Sequence, residues 1–127
     1  MPHTLPEDIR KFIAMSVSSI PHLEALLMFR YDPEREWDVP TVAARLYTGE
    51  QRVNEILRDL LESGFLQMSK KTGWRYRYAP SHDLGAMTDR LADLYSSNLI
   101  AVTELVHQRE KSKAQQLADA FLFRREK

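Results

Sequence analysis

Gln51, Arg52, Asn54 and Arg58 fall within one short stretch, and amide and guanidinium groups of this kind pair with base edges or phosphate oxygens. Four more cations follow at Lys70, Lys71, Arg75 and Arg77, a set suited to phosphates, and Arg45 comes just before the stretch. At ~100° per helical residue, Glu55, Asp59 and Glu62 share the outward side with Arg58. Three carboxylates beside phosphates repel, and a solvated helix face laced by local ion pairs has the same composition. Other groupings carry less. Glu104-x-x-His107 puts a carboxylate and an imidazole on one helix face, but a metal-binding bundle needs a second copy, and none is present. Ser81-His82-Asp83 holds the residue types of a nucleophilic triad. Adjacent residues do not adopt triad geometry, and a helix cap accounts for the serine and the aspartate. With glycines only at 49, 64, 73 and 85 there is no glycine-rich phosphate loop. Trp37, Trp74, Tyr76 and Tyr78 are either a small-ligand lining or core beneath a hairpin. We expect no catalysis, cofactor or metal.

These side chains need elements to hold them. Thr4-Leu5-Pro6-Glu7 has capping-box spacing, so a first helix is expected from Thr4, with Ile9, Phe12, Ile13 and Val17 facing inward. Ser19-Ile20-Pro21 starts a second helix with Leu23, Leu26 and Leu27 on its face. Asp38 and Pro40 open a short third helix with Val42, Ala43 and Leu46 inward, after an isolated Trp37 that reads as a short strand. Thr48 and Gln51 repeat the capping-box spacing, and a fourth helix runs to Ser63 on Val53, Ile56, Leu57, Leu60 and Leu61. Gly64 is the expected left-handed stop. Phe65–Ser69 and Trp74–Ala79 read as strands, the second alternating aromatic and arginine, around a tip of Lys70-Lys71-Thr72-Gly73. Ser81 or Asp83 caps a long helix to about Arg109. Glu110-Lys111-Ser112-Lys113 is expected to break it before a last helix with Leu117, Ala120, Phe121 and Phe123 as contacts.

Two short helices around a glycine-containing turn, followed by a hairpin, make a mainly α fold with a small β-hairpin wing. The order resembles bacterial winged helix-turn-helix transcriptional regulators, most closely the MarR type and less closely the PadR type. Residues 57–66, LRDLLESGFL, carry the likeness as the helix-to-wing passage. The tip departs from the MarR pattern, which usually has an acidic-x-arginine element where this chain has Lys70-Lys71-Thr72-Gly73. The resemblance implies one domain over residues 1–127. Residues 19–80 form the winged helix-turn-helix core after an N-terminal helix, and residues 81–127 form a C-terminal helical extension. It also implies that the helix 49–63 meets the major groove of double-stranded DNA, while the hairpin touches backbone or minor groove.

Leu84, Met87, Leu91, Leu94, Asn98, Ala101 and Leu105 follow a 3–4 spacing. A single asparagine in such a stripe fixes register between two paired helices, so a homodimer seam is expected here, alone or shared with packing on the first helix. The alternative reading is a winged-helix protein-interaction module without a nucleic-acid role, favoured by the acidic ridge and by 18 basic against 18 acidic residues. The charge is unevenly placed. Residues 1–40 carry 4 basic and 7 acidic groups (net −3), and residues 41–80 carry 7 and 4 (net +3). With no cysteine, no apolar run near the ~18–20 residues of a membrane span and no signal-peptide pattern, a cytoplasmic protein is expected.

Overall fold

The computed structural model describes residues 5–71 and 73–125, with side chains described as far as residue 120. The expected Thr4 cap, Thr72 in the hairpin tip and the contacts of Phe121 and Phe123 lie outside this range. Among the described residues the chain is mainly helical with one small antiparallel sheet: α1 Glu7–Ser16, α2 Ile20–Tyr31, α3 Val39–Leu46, α4 Glu50–Glu62, β1 Leu66–Met68, β2 Tyr76–Tyr78, α5 His82–Ser97 and α6 Leu99–Arg125. The order is compatible with the helix–turn–helix and hairpin that the sequence suggests.

Each early helix begins where a side chain or a proline satisfies its first turn. Ser19 Oγ accepts from the His22 amide at 3.3 Å and Asp38 Oδ1 from the Thr41 amide at 2.8 Å, with Pro21 and Pro40 in the first turns. Ser81 Oγ does the same for the Leu84 amide at 3.2 Å. The Thr48–Gln51 box does not form. Thr48 Oγ1 donates back to Leu46 O at 3.0 Å, and Gly49 precedes α4 without a side-chain cap. Helix α4 ends as expected: Gly64 takes φ +90°, and the Phe65 amide reaches back to Leu60 O at 3.0 Å.

The chain turns by 103° between α1 and α2, so the two helices enclose the core from different sides. Helix α2 is apolar on most sides, and Leu23, Ala25, Leu26 and Phe29 are fully buried. It packs against α3, α4 and α5. Val53, Ile56, Leu57 and Leu60 of α4 are sealed with them, and Phe65 meets the edge of Phe12 at 5.9 Å and 78°. The hairpin register pairs Leu66 with Tyr78, Gln67 with Arg77 and Met68 with Tyr76. The isolated Trp37 adds a rung: its backbone exchanges two 2.8 Å hydrogen bonds with Tyr76, and its ring packs on Phe29 at 5.8 Å. Both strands are shorter than expected. The Ser69 amide already turns back to Arg75 O at 2.7 Å, and Gly73, at φ +72°, donates to Ser69 O at 2.8 Å.

The C-terminal half departs from expectation in two places. The helix expected to run unbroken to Arg109 stops at Asn98, whose backbone leaves the helical region at φ −141° and ψ 54°. Ser97 Oγ donates to Asp93 O at 2.9 Å, and this Ser-Ser-Asn run competes for backbone partners in the way that weakens helix interiors. The expected break at Glu110–Lys113 is helical instead, because lysine and glutamate are good helix formers whether or not they touch a core. Ion pairs tie the helical layers: Arg90 of α5 holds Asp8 at the start of α1, and Arg30 of α2 meets Asp89 of α5 at 2.8 Å.

Gly64 is the hinge between α4 and the hairpin. Gly64→Ala puts a Cβ in the left-handed region and 3.4 Å from Leu84 Cδ1, so it should cost about 1–2 kcal/mol. A urea titration should show the midpoint falling with an unchanged slope.

Candidate nucleic-acid interface

Helix α4 buries one stripe and leaves the opposite strip in solvent. Gln51, Arg52, Asn54, Glu55, Arg58, Asp59 and Glu62 are all exposed. Counted at ~100° per residue from the buried stripe, Gln51, Arg58 and Glu62 are central, Glu55 is beside them, Asn54 takes one flank, and Arg52 with Asp59 takes the other. The contacts agree with this division. Asp59 Oδ2 accepts from His22 Nε2 at 2.8 Å, and His22 Nδ1 lies 2.6 Å from Ser19 Oγ. Arg52 reaches Glu55 at 3.7 Å and Ser19 Oγ at 3.5 Å. Two of the three ridge carboxylates therefore have partners within the chain, Glu55 a guanidinium and Asp59 an imidazole that turns it back towards α2.

Ser19, His22 and Asp59 make a serine–histidine–carboxylate chain that the sequence does not reveal, since Asp59 lies 37 residues from His22. Its chemistry here is structural: Ser19 is buried and its oxygen caps α2. His22 is neutral in this arrangement, with one proton on Nε2 for the carboxylate and Nδ1 accepting from the serine hydroxyl. Burial lowers the His22 pKa, the hydrogen bond and charge of Asp59 oppose that, and the Arg52 and Lys113 charges reinforce it. Helix α6 borders the same cleft of about 240 Å³, where Glu110 Oε1 accepts from the Ile20 amide at 3.3 Å.

In the hairpin, Lys70 and Lys71 are exposed at the tip, and Arg75 and Arg77 are half-buried along β2 and its approach. The Arg75 guanidinium lies 4.8 Å from the centre of the half-exposed Trp74 ring. Among the described residues, Arg58, Lys70, Lys71 and Arg77 form no ion pair. Arg45 sits apart from the α4 strip, over the Trp37 ring at 5.4 Å, with Arg35 at 3.8 Å from the same ring. Sequence reasoning passed over Arg35, although residues two apart in an extended segment share a face. Hydrogen bonds from Thr41 hold the Asp38 carboxyl below its ordinary pKa, and the Arg75 and Arg35 charges add to this. The aromatic quartet lines no shared cavity among the described residues: Trp37 and Tyr76 are core, Tyr78 is half-buried and Trp74 faces out.

Two members of the expected dimer seam are used within the chain itself. Leu91 is fully buried in the chain's own core, and Asn98 is the break between α5 and α6. Leu84, Met87, Leu94 and Leu105 are half-buried against that same core. Among the described residues of α5 and α6, the exposed large apolar side chains are instead Leu99, Ile100 and Leu117. A groove of about 480 Å³ between α1 and α6 is lined by Leu5, Ile100, Ala101 and Leu105, with Arg10 and Glu104 at its margins. Leu105 and Gln108 carry it into a second stretch beside Ile13 and Ala14. No single described helix is long and apolar enough to cross a membrane, and no cluster of three metal-ligating side chains occurs among the described residues.

No protein-family model, curated protein or solved structure matches the chain.

His22 sets a pH dependence of stability. Its folded pKa lies below the unfolded value of about 6.5, so the unfolded chain binds more protons on the acid side. The stabilising contribution is full above that value and is lost as pH falls through the folded pKa. Thermal melts between neutral pH and about pH 5 should show a decline that His22→Gln makes shallower, even if the variant starts from a lower melting temperature.

Proposed function

We propose that this chain is a winged helix-turn-helix, sequence-specific DNA-binding regulator acting as a homodimer. The observation that carries the reading is the charge state of the α4–hairpin unit. Among the described residues Arg58, Lys70, Lys71 and Arg77 are without ion-pair partners, while Asp59 is held by His22 and Glu55 by Arg52. Two carboxylates of a ridge that looks repulsive in the sequence are thereby engaged from within the protein, Glu55 by a cation and Asp59 by a hydrogen bond from a neutral imidazole. Gln51, Asn54 and Arg58 remain available on α4 as the amide and guanidinium set suited to adenine and guanine edges. Lys70, Lys71, Arg75 and Arg77 supply backbone contacts that fix register, and Arg45 with Arg35 extends the cationic surface beside α3.

Self-association is supported by α6. Every side chain from Lys111 to Ala120 is exposed, so this length of helix has no apolar layer of its own chain against it. Short helices without tertiary packing are marginal in water. A second copy laid along α6, covering Leu117 and the exposed Leu99 and Ile100, supplies that layer and brings two α4–hairpin units onto one duplex.

Two experiments test this. Binding to genomic duplex fragments should weaken as salt rises, and the pair Arg75→Glu with Arg77→Glu should lower affinity by at least about tenfold while also flattening the salt slope. Binding indifferent to both changes, or stoichiometric capture of one protein partner with no duplex shift at low salt, would replace DNA with a protein ligand. For the dimer, Ile100→Glu with Leu117→Glu should convert the chain to monomer in sedimentation while helical content is retained. A wild-type chain that sediments as monomer at high concentration removes the dimer.

A further inference from the structure

Tyr47 is the one described non-glycine residue with positive φ, at φ 52° and ψ 44°, in the turn between α3 and α4. An L side chain in this left-handed region crowds its own following carbonyl, which is why glycine or asparagine usually ends a helix in this way. A larger residue there normally compensates by packing its side chain on the last turn of the helix. Tyr47 does not. It is 97% exposed, more than any other large apolar or aromatic side chain described. The hydrogen bonds of the turn come from the backbone and from Thr48, with the Tyr47 amide to Ala44 O at 3.4 Å, the Thr48 amide to Ala43 O at 3.1 Å and Thr48 Oγ1 to Leu46 O at 3.0 Å. They need nothing from the phenol. Exposure by itself means little, since Tyr31 is 88% exposed at the end of α2 in ordinary helical geometry. The combination is what singles Tyr47 out: a conformation that disfavours the residue, and no burial to offset it.

Resting on the DNA reading above, we propose that Tyr47 is a DNA-contact residue. The turn that carries it leads directly into α4, so it meets the duplex where that helix enters the groove. The ring packs on a deoxyribose or a thymine methyl, and the hydroxyl donates to a phosphate oxygen. Both contacts suit an amphipathic ring already free of the core. The residue is then kept in a strained turn for its surface chemistry, the usual reason such strain persists.

The test uses full-length chain, a mixed-sequence DNA duplex of about 30 base pairs and low salt, with anisotropy and thermal melts read on the same samples. Tyr47→Gly relieves the backbone, so it should melt at or above the wild-type temperature while binding about tenfold more weakly. Tyr47→Phe should fall between the two if the hydroxyl reaches a phosphate, and Tyr31→Ala should bind as wild type. A Tyr47→Gly variant that binds as tightly as wild type overturns the proposal. So does one that melts lower, because the side chain would then be serving the fold. A wild-type chain that binds no duplex removes the DNA reading itself, and this assignment with it.

Discussion

The seal between α4 and α2 is the contact on which the rest depends. Val53, Ile56, Leu57 and Leu60 meet a helix whose Leu23, Leu26 and Phe29 are fully buried. Each such side chain is worth roughly 1.5–3 kcal/mol when taken from water, so this one interface is comparable with the net stability of a small domain. It also fixes geometry. With its apolar stripe committed, α4 can present only the opposite strip, and Gly64 then sets where the hairpin leaves it. The cations of the hairpin are positioned relative to Gln51, Asn54 and Arg58 through that one packed joint.

A second, polar tie acts on the flank of the same joint. His22 is buried on α2, yet it reaches Asp59 on the solvent side of α4 at 2.8 Å. Desolvating an imidazole is unfavourable unless both nitrogens are satisfied, and Ser19 and Asp59 satisfy both. The tie turns the Asp59 carboxylate towards α2 while leaving it half-exposed, and so joins the orientation of α4 to the cap of α2 through three residues.

Much of the local structure was legible in the sequence because its causes are local. Ser19, Asp38 and Ser81 cap where their spacing says they should, Gly64 stops α4, and the alternation of Tyr76, Arg77 and Tyr78 gives a strand. What escaped was decided by tertiary contacts or by competition between nearby groups. Thr48 had two backbone partners within reach and took Leu46 O over the α4 amides. Asn98 looked like a register-setting residue because periodicity cannot distinguish a seam from an interrupted helix. Leu91 fitted the same stripe but is used up inside the monomer. Polar spacing at 110–113 suggested an end, although polarity alone does not stop a helix of good formers. At the candidate site, the basic and amide residues could be picked out by type. The pairing of Asp59 with His22 could not, and neither could the convergence of Arg35 and Arg45 on Trp37, since both depend on how distant segments meet.

The candidate site is marked out by a difference between groups the fold uses and groups it does not. On α4 the apolar stripe, Asp59 and Arg52 all have roles within the chain. Gln51, Asn54, Arg58 and Glu62 have none among the contacts described, and the same is true of Lys70 and Arg77 in the hairpin. The acids left over in the same way are Glu62 and, at the helix start, Glu50. Gln51, Asn54 and Arg58 are amides and a cation set one i, i+3 step and one i, i+4 step apart along one helix, and Lys70 and Arg77 are cations on the element that follows. A protein ligand would be expected to find apolar anchors in such a remainder, because interface cores are depleted of charge and enriched in aromatic side chains. On α4 itself no large apolar side chain is exposed among the described residues; Tyr47 and Trp74 flank it as amphipathic aromatics, and the exposed aliphatic side chains are Met15 on α1 and Leu99, Ile100 and Leu117 on α6. The polar and cationic groups thus gather on the α4–hairpin unit, with the aromatic rings of Tyr47 and Trp74 beside them, while most of the exposed aliphatic side chains lie on the C-terminal helix. That division favours a nucleic acid at the first and a second copy of the chain at the other.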